Sequence, residues 1–283
     1  FDAVLMITWS NWKTEPRSNR YHYATRFSRF VPVLFFQHES QPSFPITVEK
    51  TKFDNIDLVI SGWLLSNEDV QTIRKLISAR GIRRPLVWIY DSIHYAPLID
   101  ALPGTFLAYH ATEDYFGEDR IWGSDYDVVR KSIIQLVKKI NLVVACSEGV
   151  ASSYRGLSDF NAPLIVSDNG CDTAYLFEQV ALYRRDKVDS NIPVALFQGG
   201  INQRLDYDLL FDVITNMRDW EFHFCGAAIE SEGWDLILQQ KNVSYLGALH
   251  PDDLARRMCE ATVGIIPFVQ DRMIKNSLPL KAY

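Results

Sequence analysis

The sequence predicts an α/β protein made of two doubly wound domains, each a parallel sheet covered by helices. Three observations predict this. Short apolar runs alternate with helical patterns along the whole chain. The runs are apolar throughout rather than at every second residue, as strands buried on both faces require. The alternation lapses once, after about residue 170, and then starts afresh. At 283 residues, 47% hydrophobic and 23% charged, the chain is long enough for two cores.

In the first domain, AVLMITW, VPVLFF, IDLVIS, PLVWIYD, TFLAYH, NLVVACS and PLIVSD read as strands. The first is followed by a helix with Tyr23, Phe27 and Phe30 on one face, expected in the core, while Arg26 and Arg29 form a solvated face. Residues 67–80 place Val70, Ile73 and Ile77 together after Ser66. Asp69 completes a capping box and Gly81 stops the helix. Residues 125–140 turn Val129, Ile133, Leu136, Val137 and Ile140 inward. Residues 1–170 therefore form one Rossmann-like domain, and the polar stretch 171–191 is expected to be a linker.

Residues 192–283 form the second Rossmann-like domain. Its strands are expected near 194–197, 221–225, 243–246 and 263–266. Leu205, Leu209, Leu210, Val213, Ile214 and Met217 recur at helical spacing, and Pro251 opens another helix. The last strand leads into a polar loop, and SLPLKAY reads as a helix start, so the C-terminal part is expected to be incomplete. Two such domains leave an interdomain cleft, with ligands beyond the carboxyl ends of the strands.

Composition excludes several classes. A net charge of -6 and a pI near 5.5 do not supply the clustered cations of a nucleic-acid surface. Cys146, Cys171, Cys225 and Cys259 have no metal-type spacing and read as thiols in a reducing cytoplasm. No apolar run approaches ~20 residues. Neither G-x-x-x-x-G-K-[ST] nor G-x-G-x-x-G occurs, which disfavours a P-loop NTPase or an ordinary dinucleotide dehydrogenase.

Several stretches carry candidate chemistry. In FQGGINQRLDYDLL, Gly199 and Gly200 permit close backbone approach, and Arg204 is expected to open the next helix beside a bound diphosphate. The Asp-x-Asp triplets at 125–127 and 206–208 fall at helix starts, where i and i+2 diverge, and no metal is expected there. His110, at a strand end, is followed by Glu113 and Asp114, three titratable groups where a cleft-facing loop is expected. Asp91 and His94 form a similar pair. Arg17 and Arg20 sit near the expected cleft at the first turn of the first helix, with Asn11 in the loop before it.

VVACSEGVASSYRG followed by LIVSDNGCDTAYLF resembles the end of the first domain in GT-B glycosyltransferases, particularly the retaining, family-4-like group. ALFQGGINQRLDYDLL, FHFCG, VSYLGALHPDDLARRMCEATVGIIPF and SLPLKAY are similar in order and spacing to that group's donor domain. The resemblance implies transfer of a hexosyl group from a nucleotide-diphosphate sugar to a glycan or lipid-linked acceptor, with retention and without metal or other cofactor, in cell-surface polysaccharide synthesis. It implies a diphosphate loop at Lys275, Asn276, Ser277 and Leu278 with Lys281 nearby, although Asn276 stands where the group's first motif glutamate sits. Gly199, Gly200 and Arg204 would complete the donor side, Asn11, Arg17 and Arg20 the acceptor side, and His110, Glu113 and Asp114 the reacting face. The expected location is cytoplasmic, with peripheral contact at the inner membrane face. Two alternatives stay open: a GT-B sugar-nucleotide epimerase, and a non-catalytic nucleotide-sugar binding module of a larger protein.

Overall fold

The structure, a computed structural model, describes residues 1–15, 17–116, 125–158, 160–183, 192–277 and 279. The chain divides into two compact units, Phe1–Asn169 and Gly170–Tyr283.

Unit 1 contains β1 (Ala3–Ile7), β2 (Val33–His38), β3 (Thr47–Lys50), β4 (Ile56–Ser61), β5 (Pro85–Ile89), β6 (Phe106–Ala111), β7 (Leu142–Ala145) and β8 (Leu164–Val166). They form one sheet in the order β3-β4-β2-β1-β5-β6-β7-β8, parallel except for β3 against β4. Its helices are α1 (Asn19–Phe27), α2 (Asn67–Ala79), α3 (Ala96–Asp100), α4 (Asp125–Val137) and α5 (Glu148–Arg155). Strand alternation divides the apolar residues between two layers. Leu5, Ile7, Leu34, Phe36, Val87 and Ile89 pack on one face, and Val4, Met6, Phe35 and Trp88 on the other. Each full burial contributes roughly 1.5–3 kcal/mol, which is why these strands tolerate no polar face.

Helix α2 begins as its sequence dictates. The Asp69 amide donates to the Ser66 hydroxyl at 3.1 Å, and the Ser66 amide donates to the Asp69 carboxylate at 2.9 Å. Gly81, at φ 72°, ends it. In α1, Tyr23 and Phe27 pack against the core, but Phe30 is 84% exposed. The helix stops at Phe27, so Phe30 leaves the helical face on which spacing placed it. The alternating strand β3 is an element that the continuous apolar runs did not signal.

Unit 2 contains β9 (Val194–Gln198), β10 (Glu221–Cys225), β11 (Val243–Gly247) and β12 (Val263–Gly264), a parallel sheet in the order β11-β10-β9-β12. Helices α6 (Thr173–Tyr183), α7 (Tyr207–Asn216), α8 (Glu232–Leu238), α9 (Pro251–Glu260) and α10 (Arg272–Asn276) accompany it. Within the stretch read as a linker, α6 lies along α9, tied by the Tyr175 hydroxyl donating to Asp252 at 2.6 Å. Between α6 and α9 is an apolar hollow of about 230 Å³. Both Asp triplets fall at helix starts. Asp125 and Asp127 begin α4, and Asp206 caps α7 by accepting from the Leu209 amide at 3.0 Å. Leu209 itself is 49% exposed, on the outer side of α7 rather than in its core stripe. Among the described residues no helix is long and apolar enough to cross a membrane, and all four cysteines are free thiols.

Candidate functional site

The candidate titratable groups of unit 1 lie at or just beyond the carboxyl ends of β1, β2, β5 and β6. His110, in β6, is 2% exposed, and its ring is enclosed by Tyr23, Trp88 and Tyr90 at centroid distances of 4.8, 5.5 and 5.1 Å. Its Nδ1 shares a 2.8 Å hydrogen bond with the Tyr90 hydroxyl. Burial, aided by the Arg20 charge, pushes its pKa down to about 3, so the ring is neutral at ordinary pH. A neutral, enclosed imidazole offers a hydrogen bond rather than a proton reservoir.

Arg20, in the first turn of α1, is braced from below. Its Nε lies 3.3 Å from Glu15 Oε2, and the Glu15 side chain is only 1% exposed. Burial alone would raise the Glu15 carboxyl, but the Arg20 charge and hydrogen bonds from Ser18 outweigh it and hold it below the usual range. The guanidinium lies over the rings of Trp9 and Tyr90, 5.2 and 5.8 Å from their centroids. Arg17 sits at φ 55°, the left-handed region that a non-glycine residue enters only when its surroundings hold it there. Asn11 shapes the preceding turn, its side-chain oxygen accepting from the Lys13 amide at 2.9 Å.

Asp114 is 1% exposed and accepts from the Phe116 amide at 3.1 Å, while Glu113 beside it is half-buried. Asp91 is 3% exposed. Its Oδ1 accepts from the amides of Ile93 and His94, and its Oδ2 from His94 Nδ1 at 2.8 Å. That bond raises the pKa of His94. His38, at the end of β2, brings its Nε2 to 3.9 Å from the same Oδ2. Sequence reasoning missed Glu15 and His38. The first is one carboxylate in a loop, and the second joins Asp91 only because β1 pairs with both β2 and β5.

In unit 2, glycines follow or end three adjacent strands: Gly199 after β9, Gly226 after β10 and Gly247 at the end of β11, with φ of 133°, 145° and 69°. Backbone hydrogen bonds link them in a row, Gly199 N–H to Cys225 and Gly226 N–H to Gly247, each 2.8 Å. None of the three carries a side chain of its own, and the Tyr245 hydroxyl closes the row by donating to the Gly226 carbonyl at 3.0 Å. Gly200 is exposed beside Asn202. Arg204 does not open α7. It occupies a turn held by its own amide donating to Asn202 Oδ1 at 3.0 Å, and the helix starts at Tyr207, because Asp206 is the residue that caps it.

The loop expected between the last strand and a following helix also differs. Asp271 caps the short helix α10, with its side chain accepting from the Ile274 amide at 2.6 Å. Lys275 and Asn276 lie in its last turn, and Ser277, the C-cap, donates its hydroxyl to the Met273 carbonyl at 2.8 Å. Leu278 and Lys281 lie outside the described residues.

No known protein-family profile matches the chain, and no curated protein matches it. Solved structures do match. Sucrose-phosphate synthase from Thermosynechococcus elongatus superposes with a TM-score of 0.69 at 10% identity, over 96% of this chain and 77% of that one. HepE of Anabaena, in complex with UDP and glucose, gives a TM-score of 0.65 at 13% identity, over 93% and 73%. A UDP-forming α,α-trehalose-phosphate synthase from Burkholderia xenovorans, in complex with glucose-6-phosphate, gives 0.65 at 9% identity, over 96% and 80%. The fold is GT-B. In GT-B terms, unit 1 carries the eight-stranded sheet with the His110, Arg20 and Asp91 groups, and unit 2 carries the four-stranded sheet with the row of glycines.

Proposed function

We propose that this chain is a glycosyltransferase of hexosyltransferase type, which moves a sugar with retention from a nucleotide-diphosphate sugar to a glycan or lipid-linked acceptor. The observation that carries the reading is the row of Gly199, Gly226 and Gly247 at the strand ends of a GT-B second unit. A flat nucleotide and its diphosphate need a surface without side chains and with approachable backbone, which that row supplies. Arg204, in the turn that follows Gly199 and Gly200, is the donor-side cation that stabilises the departing diphosphate. Lys275 and Asn276, in the last turn of α10, and Ser277 at its C-cap take the donor-side role expected of a loop. The diphosphate is held by protein groups and no metal.

On the acceptor side, Asn11, Arg17 and Arg20 frame the edge of unit 1, with Trp9 42% exposed beside Arg20. Glu15 balances the Arg20 charge, which favours a neutral glycan over a phosphorylated sugar. His110 contributes as a neutral hydrogen-bonding group, and Glu113 is the carboxylate of the reacting face that can reach solvent. A role in cell-surface polysaccharide synthesis, with the enzyme in the cytoplasm at the inner membrane face, is part of the same proposal and rests on the sequence resemblance.

The test is a calorimetric titration of nucleoside diphosphates and nucleotide sugars with chelator present, followed by mass-spectrometric detection of glycan products. Tight, chelator-resistant binding of one nucleotide and retained-anomer transfer are expected. Absence of nucleotide binding sinks the reading, and turnover of the sugar nucleotide without acceptor replaces transfer with epimerisation or hydrolysis.

A further inference from the structure

We propose that His38, Asp91 and His94 form a binding site in unit 1 for a divalent transition-metal ion of the zinc class. The inference does not depend on the transferase reading. One ligand atom from each residue lies within 4.8 Å of the others. Asp91 Oδ2 stands 2.8 Å from His94 Nδ1 and 3.9 Å from His38 Nε2. Ligand atoms around a tetrahedral zinc ion are about 3.4 Å apart, given metal–ligand bonds of about 2.1 Å, so the two distances bracket the required spacing.

The surroundings already hold the ligands in place. Asp91 Oδ1 is fixed by the amides of Ile93 and His94 at 2.9 and 3.0 Å, which leaves Oδ2 to coordinate. His38 Nδ1 donates to the Glu39 carbonyl at 3.1 Å, an outer bond of the kind that leaves the other ring nitrogen as a bare lone pair. That nitrogen, Nε2, is buried without a hydrogen-bond partner and faces a carboxylate. A lone pair buried against an anion is unfavourable unless a cation lies between them. The ion takes the place of the proton between His94 Nδ1 and Asp91 Oδ2, which moves to His94 Nε2 or is released to solvent, and a fourth position stays open to water. Two imidazoles among three ligands select zinc-class ions over Mg²⁺ or Ca²⁺, which take oxygen.

Cobalt(II) is the probe, because tetrahedral coordination gives it intense visible absorption. The expected result is a visible band on titrating the protein with Co²⁺, displaced by Zn²⁺, lost in His38→Gln and His94→Gln and unchanged in His223→Gln. Carbethoxylation mapped on the wild-type protein provides a second readout that requires no variant to fold. Zn²⁺ should protect His94, the most exposed member of the three, and leave His223 and His250 reactive. A band that persists in both variants, no band at all, or carbethoxylation of His94 that Zn²⁺ does not slow would each overturn the site.

Discussion

Gly226 and Gly199 lie back to back: a Cβ at Gly226 would fall 1.9 Å from the carbonyl oxygen of Gly199. Gly226 also has φ 145°, a region nearly closed to other residues. Gly226→Ala should therefore destabilise unit 2 by roughly 3 kcal/mol or more, strain and overlap together. At Gly247, φ is 69° and nothing lies within 4 Å of the added methyl, so Gly247→Ala should cost only about 1–2 kcal/mol. Denaturant melts of the two variants check the contrast, and equal losses would show that the close approach carries no special cost.

Glu15 is the hidden half of the Arg20 pair. Removing its charge in Glu15→Gln should lower stability by about 1–3 kcal/mol at neutral pH, since Arg20 loses its partner. The folded carboxyl has a depressed pKa, so its contribution is fully present above the unfolded value of about 4.3 and is lost as pH falls through the folded value. Stability curves of wild type and variant should therefore converge in acid. A constant gap down to the acid limit would refute the linkage.

His110 adds a pH dependence of the same sign, beginning at higher pH. Folded, it resists protonation until about pH 3, while in the unfolded chain it takes a proton near 6.5. Between those values the unfolded state binds the extra proton, so stability falls with decreasing pH by up to about 1.4 kcal/mol per unit. His110→Asn should flatten that slope. It should also leave nucleotide affinity intact, while transfer falls by more than the folded fraction. Thermal melts, nucleotide titration and a single-turnover assay separate the effects; full transfer in a folded variant would remove His110 from the site.

Arg204 is proposed above to meet the donor diphosphate. Loss of one charge-assisted contact typically removes about 1.5–3 kcal/mol, so Arg204→Ala should weaken nucleoside diphosphate binding about ten- to a hundredfold. Calorimetry decides, and an unchanged Kd would leave Arg204 as part of the turn alone.

The strands of unit 1 were legible because burial on both faces writes itself as continuous apolar runs, from Ala3–Ile7 to Leu142–Ala145. Strand β3 was not, because Thr47–Lys50 alternates and is only four residues long. Helix α10 escaped for a related reason: five residues with Met273 and Ile274 buried give no period to count. Phe30 was misplaced because periodicity does not say where a helix stops. In the candidate site, the positions of His110 and Asp91 at strand ends were visible. The neutrality of His110 depends on Tyr23, Trp88 and Tyr90 from other elements, and the approach of His38 to Asp91 depends on sheet order; neither is encoded locally. Arg204 was drawn toward the helix because its true cap, Asp206, lies only two residues on.

Strand β3 forms one border of the larger sheet, and such borders invite a second chain to add itself as another strand. This one is four residues long and carries Glu49 and Lys50, engaged with Lys13 at 3.1 Å and Asp57 at 2.8 Å. An incoming strand would have to strip water from those charges to extend the ladder, for the return of a very short run of backbone bonds. The protection matters most while the chain is folding, when its apolar strands wait for partners far away in sequence and are most prone to find a neighbouring molecule instead.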